Sequence, residues 1–284
     1  MPQHFARKTI TIGAVNISLQ DVANIYERLK LQVAEQADSE ISKLIRRENQ
    51  TAEDFEQYKL NAKSQAFKVK VTFTGRDGDS LFGDDKTIFS SPNKPERLDS
   101  LYITNMTAYQ HFANKRSVNM FELNIDFSKP PLMDANNPVS SPTRNMSNLV
   151  VQGDRDSWVS AVSDAVMTTL KARKTRRNWI HRAFSYDIGL AILGIPFAFY
   201  LCRNISPLIY KYIGNIHDVL SGDAYVYTFF LALSFYRILF GYAKWAFPTV
   251  ELSDNKDAAI QHRALLGVIV LGLVIDIIWQ ILHG

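Results

Sequence analysis

Beyond Ser185 the chain carries three stretches too apolar for an ordinary protein surface, and these limit its fold more than any other feature. They are Tyr186 to Leu201, which contains Pro196; Ala224 to Phe247, with Tyr and Trp near both ends; and Ala264 to Leu282, which is almost uninterrupted aliphatic sequence. A helix needs roughly 20 largely apolar residues to cross a bilayer's hydrocarbon core. The mean hydropathy of -0.10 hides this, because the polar residues lie mostly in the first two thirds of the 284-residue chain. The pattern predicts a soluble domain over 1–178, a basic juxtamembrane link over 179–184, and an α-helical transmembrane bundle over 185–284, with spans near 186–203, 224–247 and 264–282. The first span either continues as a kinked helix through Ile205, Leu208, Ile209 and Ile213 or gives way to an interfacial piece over Ser206 to Tyr212.

Orientation follows from Lys171, Arg173, Lys174, Arg176, Arg177 and Arg182, because positive residues beside a span resist translocation. The expected protein is multi-pass in the cell (inner) membrane with its N-terminal domain cytoplasmic. The segment Arg203 to Asp223 is then outside, Pro248 to Arg263 inside, and the tail outside. The same six cations can hold anionic lipid head groups at roughly 1 kcal/mol each, although topogenesis alone accounts for the run. A net charge of +4 would permit nucleic-acid binding, but the densest basic cluster abuts an apolar run, so the expected partner is the lipid bilayer and no nucleic acid. Cys202 is the sole cysteine, which excludes an intrachain disulfide and a cysteine-based zinc site. His4, His111, His181, His217, His262 and His283 show no paired metal spacing. No metal and no cofactor are expected. Met1 to Gly13 has no continuous apolar core of the kind a secretory signal carries.

In the first domain, Ile10, Ile12 and Ala14 alternate with threonines as in a half-buried strand. Ser18-Leu19-Gln20-Asp21 has capping-box spacing and opens a helix that buries Leu19, Val22, Ile25, Leu29, Val33, Ile41, Leu44 and Ile45 and ends near Arg47. Thr51 to Lys63 forms a second, thinner helix. Phe67 to Thr74 and Phe121 to Phe127 alternate strictly and are strands; Lys86 to Ser90, Leu98 to Tyr109 and Leu149 to Gln152 are further strand candidates. Pro130, Pro131, Pro138 and Pro142 make 128–147 a mobile excursion. Asp156 starts a closing helix with Trp158, Ala161, Val162, Ala165, Val166, Thr169 and Leu170 on one face. The fold class is therefore α+β in the order β-α-β-β-β-β-α, an antiparallel sheet with two main helices. This order resembles the helix-grip arrangement, which implies that the space between sheet and helix can hold an apolar ligand. The closing helix with its early Trp158 is also similar to the end of pleckstrin-homology domains.

Within the apolar third, Arg237 sits near the middle of its span, where such a residue costs roughly 2.5–3.5 kcal/mol to insert. Asp276 lies about 7 Å away in depth, at about 1.5 Å per residue, and the two are expected to pair. Each belongs to a polar stripe at helical spacing: Ser234, Arg237, Gly241 and Lys244 on one helix, and Gly272, Asp276, Gln280 and His283 on the other. Such stripes suit a hydrated path or assembly seam gated by the charged pair, but a static salt bridge holding the bundle together satisfies them too and is the preferred reading. The acidic loop Gly75 to Asp85 lacks the ligand spacing and closing Glu of a calcium-binding EF-hand and reads as a solvated hairpin. No phosphate-cradling glycine loop or nucleophile elbow is present, so no catalytic residue is assigned. The expectation is a non-enzymatic receptor or effector. Its cytosolic domain binds an unknown ligand or protein and controls the arrangement or oligomerisation of the spans. A homo-oligomer or membrane complex is expected, and compact bacterial pore-forming or membrane-disrupting defence effectors look similar in layout. The alternatives are a membrane-tethered enzyme with its site in the sheet-helix pocket and a scaffold subunit of a larger membrane complex.

Overall fold

The computed structural model describes residues 5–132, 138–213, 218–254 and 259–283. The chain forms two compact units. The first comprises Met1–Ser128, Asn145–Arg176 and Thr249–Lys256; the second comprises Lys129–Arg144, Arg177–Pro248 and Asp257–Gly284. Neither unit is a single run of sequence.

The first unit is mixed α and β. Strands β1 (Ala6–Thr11), β3 (Lys70–Gly75), β4 (Ser80–Gly83), β5 (Leu98–Thr104), β6 (Met120–Asp126) and β7 (Asn148–Gly153), with β2 (Val15–Ile17) between the first two in sequence, supply the sheets. Six of them form one antiparallel sheet in the order β1-β7-β6-β5-β3-β4. The alternation expected of strands holds: Val71 and Phe73, Leu101 and Ile103, Phe121, Leu123 and Ile125, and Leu149 and Val151 are buried on one face. That face is covered by α1 (Leu19–Ile41) and α4 (Asp156–Ala172), which also pack on each other. Ser18 closes the expected capping box with Asp21, and α1 buries Val22, Ile25, Tyr26, Leu29 and Val33. Helix α4 buries Trp158, Val162, Val166 and Leu170, and the Trp158 indole donates to the Gln152 carbonyl at 3.1 Å. Each such large apolar side chain contributes about 1.5–3 kcal/mol on burial. Tyr26, Phe73 and Phe121 fill the layer between sheet and helices, and the Tyr26 hydroxyl donates to the Asp84 carbonyl at 2.6 Å.

Several local expectations are corrected. Lys86–Ser90 is a 3-10 turn: Asp85 caps it by accepting from the Thr87 N–H, and Ile88 and Phe89 are both buried, which consecutive residues of a strand cannot manage on one face. The strand from Leu98 stops at Thr104, and α3 (Met106–Ala113) follows, because Asn105 spans the chain by donating to the Asn119 carbonyl and accepting from the Phe121 N–H. Helix α1 ends at Ile41, six residues short of Arg47, and α2 (Ala52–Gln65) has the Thr51 cap in place. In the acidic loop, Asp84 pairs with Lys68 at 2.7 Å while Asp85 is used as the cap, so these carboxylates serve the fold.

Strand β2 has a partner that the sequence does not announce. Val15, Asn16 and Ile17 pair in parallel with β8 (Val250–Leu252). Val15 donates to the Thr249 carbonyl at 3.0 Å, Ser253 donates to the Ile17 carbonyl at 2.8 Å, and the Asp254 carboxylate accepts from the Leu19 N–H at the start of α1. Val250 and Leu252 are buried with Val15 and Ile17.

The second unit is helical. Helix α5 (Ser185–Gly189), a π turn (Leu190–Gly194) and α6 (Ile195–Tyr212) run on continuously, followed by α7 (Asp218–Ala246) and α8 (Ala259–His283). The first apolar stretch is thus one helix. Pro196 lies just past the π turn and Pro207 lies further inside. Two helices, Ser185–Tyr212 and Val219–Ala246, are long and apolar enough to cross a membrane. The first two pack where Gly189 and Gly194 make room for Tyr236: a Cβ on Gly189 would lie 2.2 Å from the Tyr236 hydroxyl, and one on Gly194 would lie 3.0 Å from its ring. The Tyr236 hydroxyl donates to the Tyr186 carbonyl at 3.2 Å. On α8, Leu265, Val268, Leu271, Ile275 and Ile278 are exposed.

Candidate functional site

The second unit concentrates its polar contacts at the end where α7 finishes and α5 begins. His181, five per cent exposed, anchors this region. Its Nε2 is 2.7 Å from the Phe247 carbonyl, an acceptor only, so that nitrogen carries the proton; its Nδ1, 2.8 Å from Thr143 Oγ1, then accepts from the hydroxyl. Thr143 also donates its N–H to the His181 carbonyl at 3.2 Å. Burial holds the imidazole below its ordinary pKa against the bond to Phe247, and the nearby Lys244 and Arg177 charges push the same way.

Lys244, expected on a polar stripe, is six per cent exposed and donates through Nζ to the carbonyls of Val139 at 2.6 Å and Ser141 at 2.8 Å. Gly241, one turn earlier, is approached closely: a Cβ there would meet the Leu132 carbonyl oxygen at 3.0 Å. Trp245 stacks on Tyr242 with ring centres 5.8 Å apart, Lys129 lies over Trp245 at 4.4 Å, and His262 meets Trp245 edge-on at 5.0 Å. Arg263 donates to the Ala246 carbonyl at 2.8 Å. A collar of loop and helix ends results. The described part of the proline-rich stretch, expected to be mobile, supplies half of it.

The intramembrane candidates separate. Asp276 is exposed and its carboxylate accepts from the Tyr200 hydroxyl. Arg237 is also exposed, within electrostatic reach of the Tyr186 hydroxyl, and among the described residues it makes no ion pair with Asp276 or any other carboxylate. The two residues do not meet within the chain, although each is brought to the surface of its helix. Ser234 turns back to donate to the Phe230 carbonyl at 2.9 Å, and Gly272 has open space around it. The side chains of Gln280 and His283 lie outside the described residues.

The basic run also divides by use. Arg173 is committed to Asp21, with which it pairs at 2.9 Å. Burial pushes the Asp21 carboxyl up, but the Ser18 N–H and hydroxyl and the Arg173 guanidinium outweigh it and hold the carboxyl below its ordinary value. Arg177 lies 5.9 Å from the centre of the Phe247 ring, whereas Lys171, Lys174, Arg176 and Arg182 are exposed. Sequence reasoning missed His181, Thr143 and Tyr200. A lone histidine after Ile180 and a threonine after Pro142 carry no periodic signal, and only their contacts reveal them. Comparison with known protein families, curated proteins and solved structures finds no match to this chain.

Proposed function

We propose that this protein is a membrane-anchored, non-enzymatic receptor or effector. In this reading the α+β unit is cytoplasmic, binds a ligand or protein, and governs how the apolar helices are arranged or assembled in the inner membrane. Helices α5–α6, α7 and α8 are its three spans, and the exposed members of the basic run lie at the anionic surface.

One observation carries the reading. The chain passes between the two units at 128/129, 144/145, 176/177, 248/249 and 256/257, so that each unit is completed by sequence belonging to the other's stretch of chain. A passive anchor needs one tether. Here the segment joining α7 to α8 supplies a strand of the α+β unit, and the segment joining β6 to β7 supplies the collar around Lys244. A rearrangement around β2 is therefore transmitted covalently to two helix ends, which is what a bistable coupling element requires.

Val250→Asp, which places a carboxylate at a buried β8 position, tests this. The full-length variant and wild type are compared in liposomes for dye release and in detergent for mass. The coupling reading expects leakage or assembly size to change by severalfold while the protein still floats with vesicles. A folded variant with wild-type mass and wild-type leakage refutes it.

A further inference from the structure

We infer that Arg237 and Asp276 form their ion pair between chains: the guanidinium of one copy meets the carboxylate of the next, and the surface this creates is a homo-oligomeric seam between α7 of one chain and α8 of its neighbour. The inference rests on the membrane reading above and makes the assembly specific.

The two residues sit on helices that are apolar almost throughout, and both are exposed on the surface of their unit. A charge facing hydrocarbon is expensive, and side chains of this kind in a span turn toward a partner or toward water. Within the chain the partners are incomplete. Asp276 receives a hydroxyl from Tyr200, and Arg237 has near it the Tyr186 hydroxyl, a neutral group. One unneutralised cation and one unneutralised anion therefore remain on different helices, which is the complement a second copy of the same chain supplies. Around Asp276 the α8 surface offers exposed Ile275, Ile278 and Trp279, and around Arg237 the α7 surface offers Phe235 and Ile238, so each charge is framed by apolar contact area.

Depth supports the match. Cyclic assembly about an axis along the membrane normal leaves every residue at its own height. Arg237 of one copy then meets Asp276 of the next across the offset of about 7 Å that they have along their own spans at about 1.5 Å per residue, which the Arg side chain bridges. With one side from α7 and the other from α8, the contact is heterologous and closes into a ring; about a two-fold axis it would instead occur twice, as an isologous pair. The Tyr200 hydroxyl orients the carboxylate toward the seam from within its own chain.

Two singly substituted chains with different affinity tags separate pairing between chains from pairing within one. Arg237→Asp alone gives a chain with two carboxylates; Asp276→Arg alone gives a chain with two cations. If the pair forms between chains, each variant alone assembles at least tenfold less than wild type. Coexpression then rescues assembly, because the new carboxylate at 237 faces the new cation at 276 of its neighbour, and capture through one tag recovers the other at the wild-type level. If the pair forms within a chain, neither variant is repaired by the other, and coexpression recovers no more mixed species than the single expressions; that result overturns the inference. Vesicle flotation of wild type is measured beside it. A wild-type chain that floats but has a monomer's mass overturns the seam alone, whereas one that fails to float overturns the membrane reading and the seam together.

Discussion

Lys244→Met removes the ammonium that holds the proline-rich segment to α7 while keeping a straight apolar side chain of similar length. The wild-type Nζ makes two short bonds, to the Val139 and Ser141 carbonyls, from a side chain that is almost wholly buried. Hydrogen bonds to a charged group contribute about 1.5–3 kcal/mol each, so the pair is worth about 3–6 kcal/mol gross. Methionine no longer requires a buried charge to be desolvated, which returns several kcal/mol. Two carbonyls are left without that donor, and a net loss of about 2 kcal/mol in the segment's attachment follows. That is roughly a thirtyfold rise in the released population at about 1.4 kcal/mol per tenfold. Trypsin reads this at Arg144, which ends the segment and is followed by Asn145, because cleavage of a transiently opened region tracks its open population; the Lys129–Pro130 bond at the other end resists trypsin. Cleavage after Arg144 in detergent should accelerate about thirtyfold in Lys244→Met, and by less than twofold in Lys171→Met, which alters an exposed lysine at the end of α4. Equal rates in Lys244→Met and wild type would mean that the segment is held by something other than these bonds.

The remaining expectations concern three other sites. The collar should weaken with acid: above pH about 6.5 the His181 ring is neutral in both the held and released states, and as the pH falls the released state takes the proton first, so stability declines until the held ring's own lower value is passed. His181→Gln keeps a donor for Phe247 and should flatten that decline in a pH series of trypsin rates; an unchanged slope would assign the effect to another group. Asp21→Asn should destabilise the first unit by about 1–2 kcal/mol through loss of the cap carboxylate and its Arg173 partner, seen as a lower melting temperature at neutral pH. In wild type the Asp21 contribution is present above the ordinary carboxylate value of 3.8 and is lost as pH falls through the lower native value. Gly189→Ala should lower the melting temperature in detergent by forcing Tyr236 aside, a loss of about 1–3 kcal/mol, whereas Gly267→Ala, with nothing near its added carbon, should not lower it at all.

Much of the fold is legible in the sequence because it is written in local periods. The two-residue alternation over Phe67 to Thr74 and Phe121 to Phe127 and the capping residues Ser18 and Thr51 describe their own neighbourhoods; the structure has the caps where expected and the strands at Lys70–Gly75 and Met120–Asp126. What escapes is information that needs a partner. Strand β8 is three residues between two apolar helices, too short for alternation to be distinguished from chance, and only its pairing with β2 defines it. The described part of the proline-rich segment makes its contacts with Lys244 and His181, more than 35 residues further along the chain, and composition alone carries no sign of those partners. That Arg237 and Asp276 stand exposed without pairing in one chain has a related reason. Counting along a helix gives depth and the residues that share a face, but it does not give the rotation of one helix relative to another, and two residues at matching depth can still point apart.

The pairing of β2 with β8 also sets an order of events during synthesis. The ribosome has produced both α6 and α7 before residues 250–252 exist, so the α+β unit cannot finish until most of the apolar sequence has left the exit tunnel. Translation at about 5–20 residues per second puts roughly 12–50 seconds between β2 and its partner. Throughout that interval Val15 to Ile17 presents a bare strand edge, a template for pairing with other chains. A product that terminates between Gly153 and Thr249 keeps that edge permanently. Truncated forms of this protein should therefore aggregate through their N-terminal unit, even though every residue of the six-stranded sheet has been made.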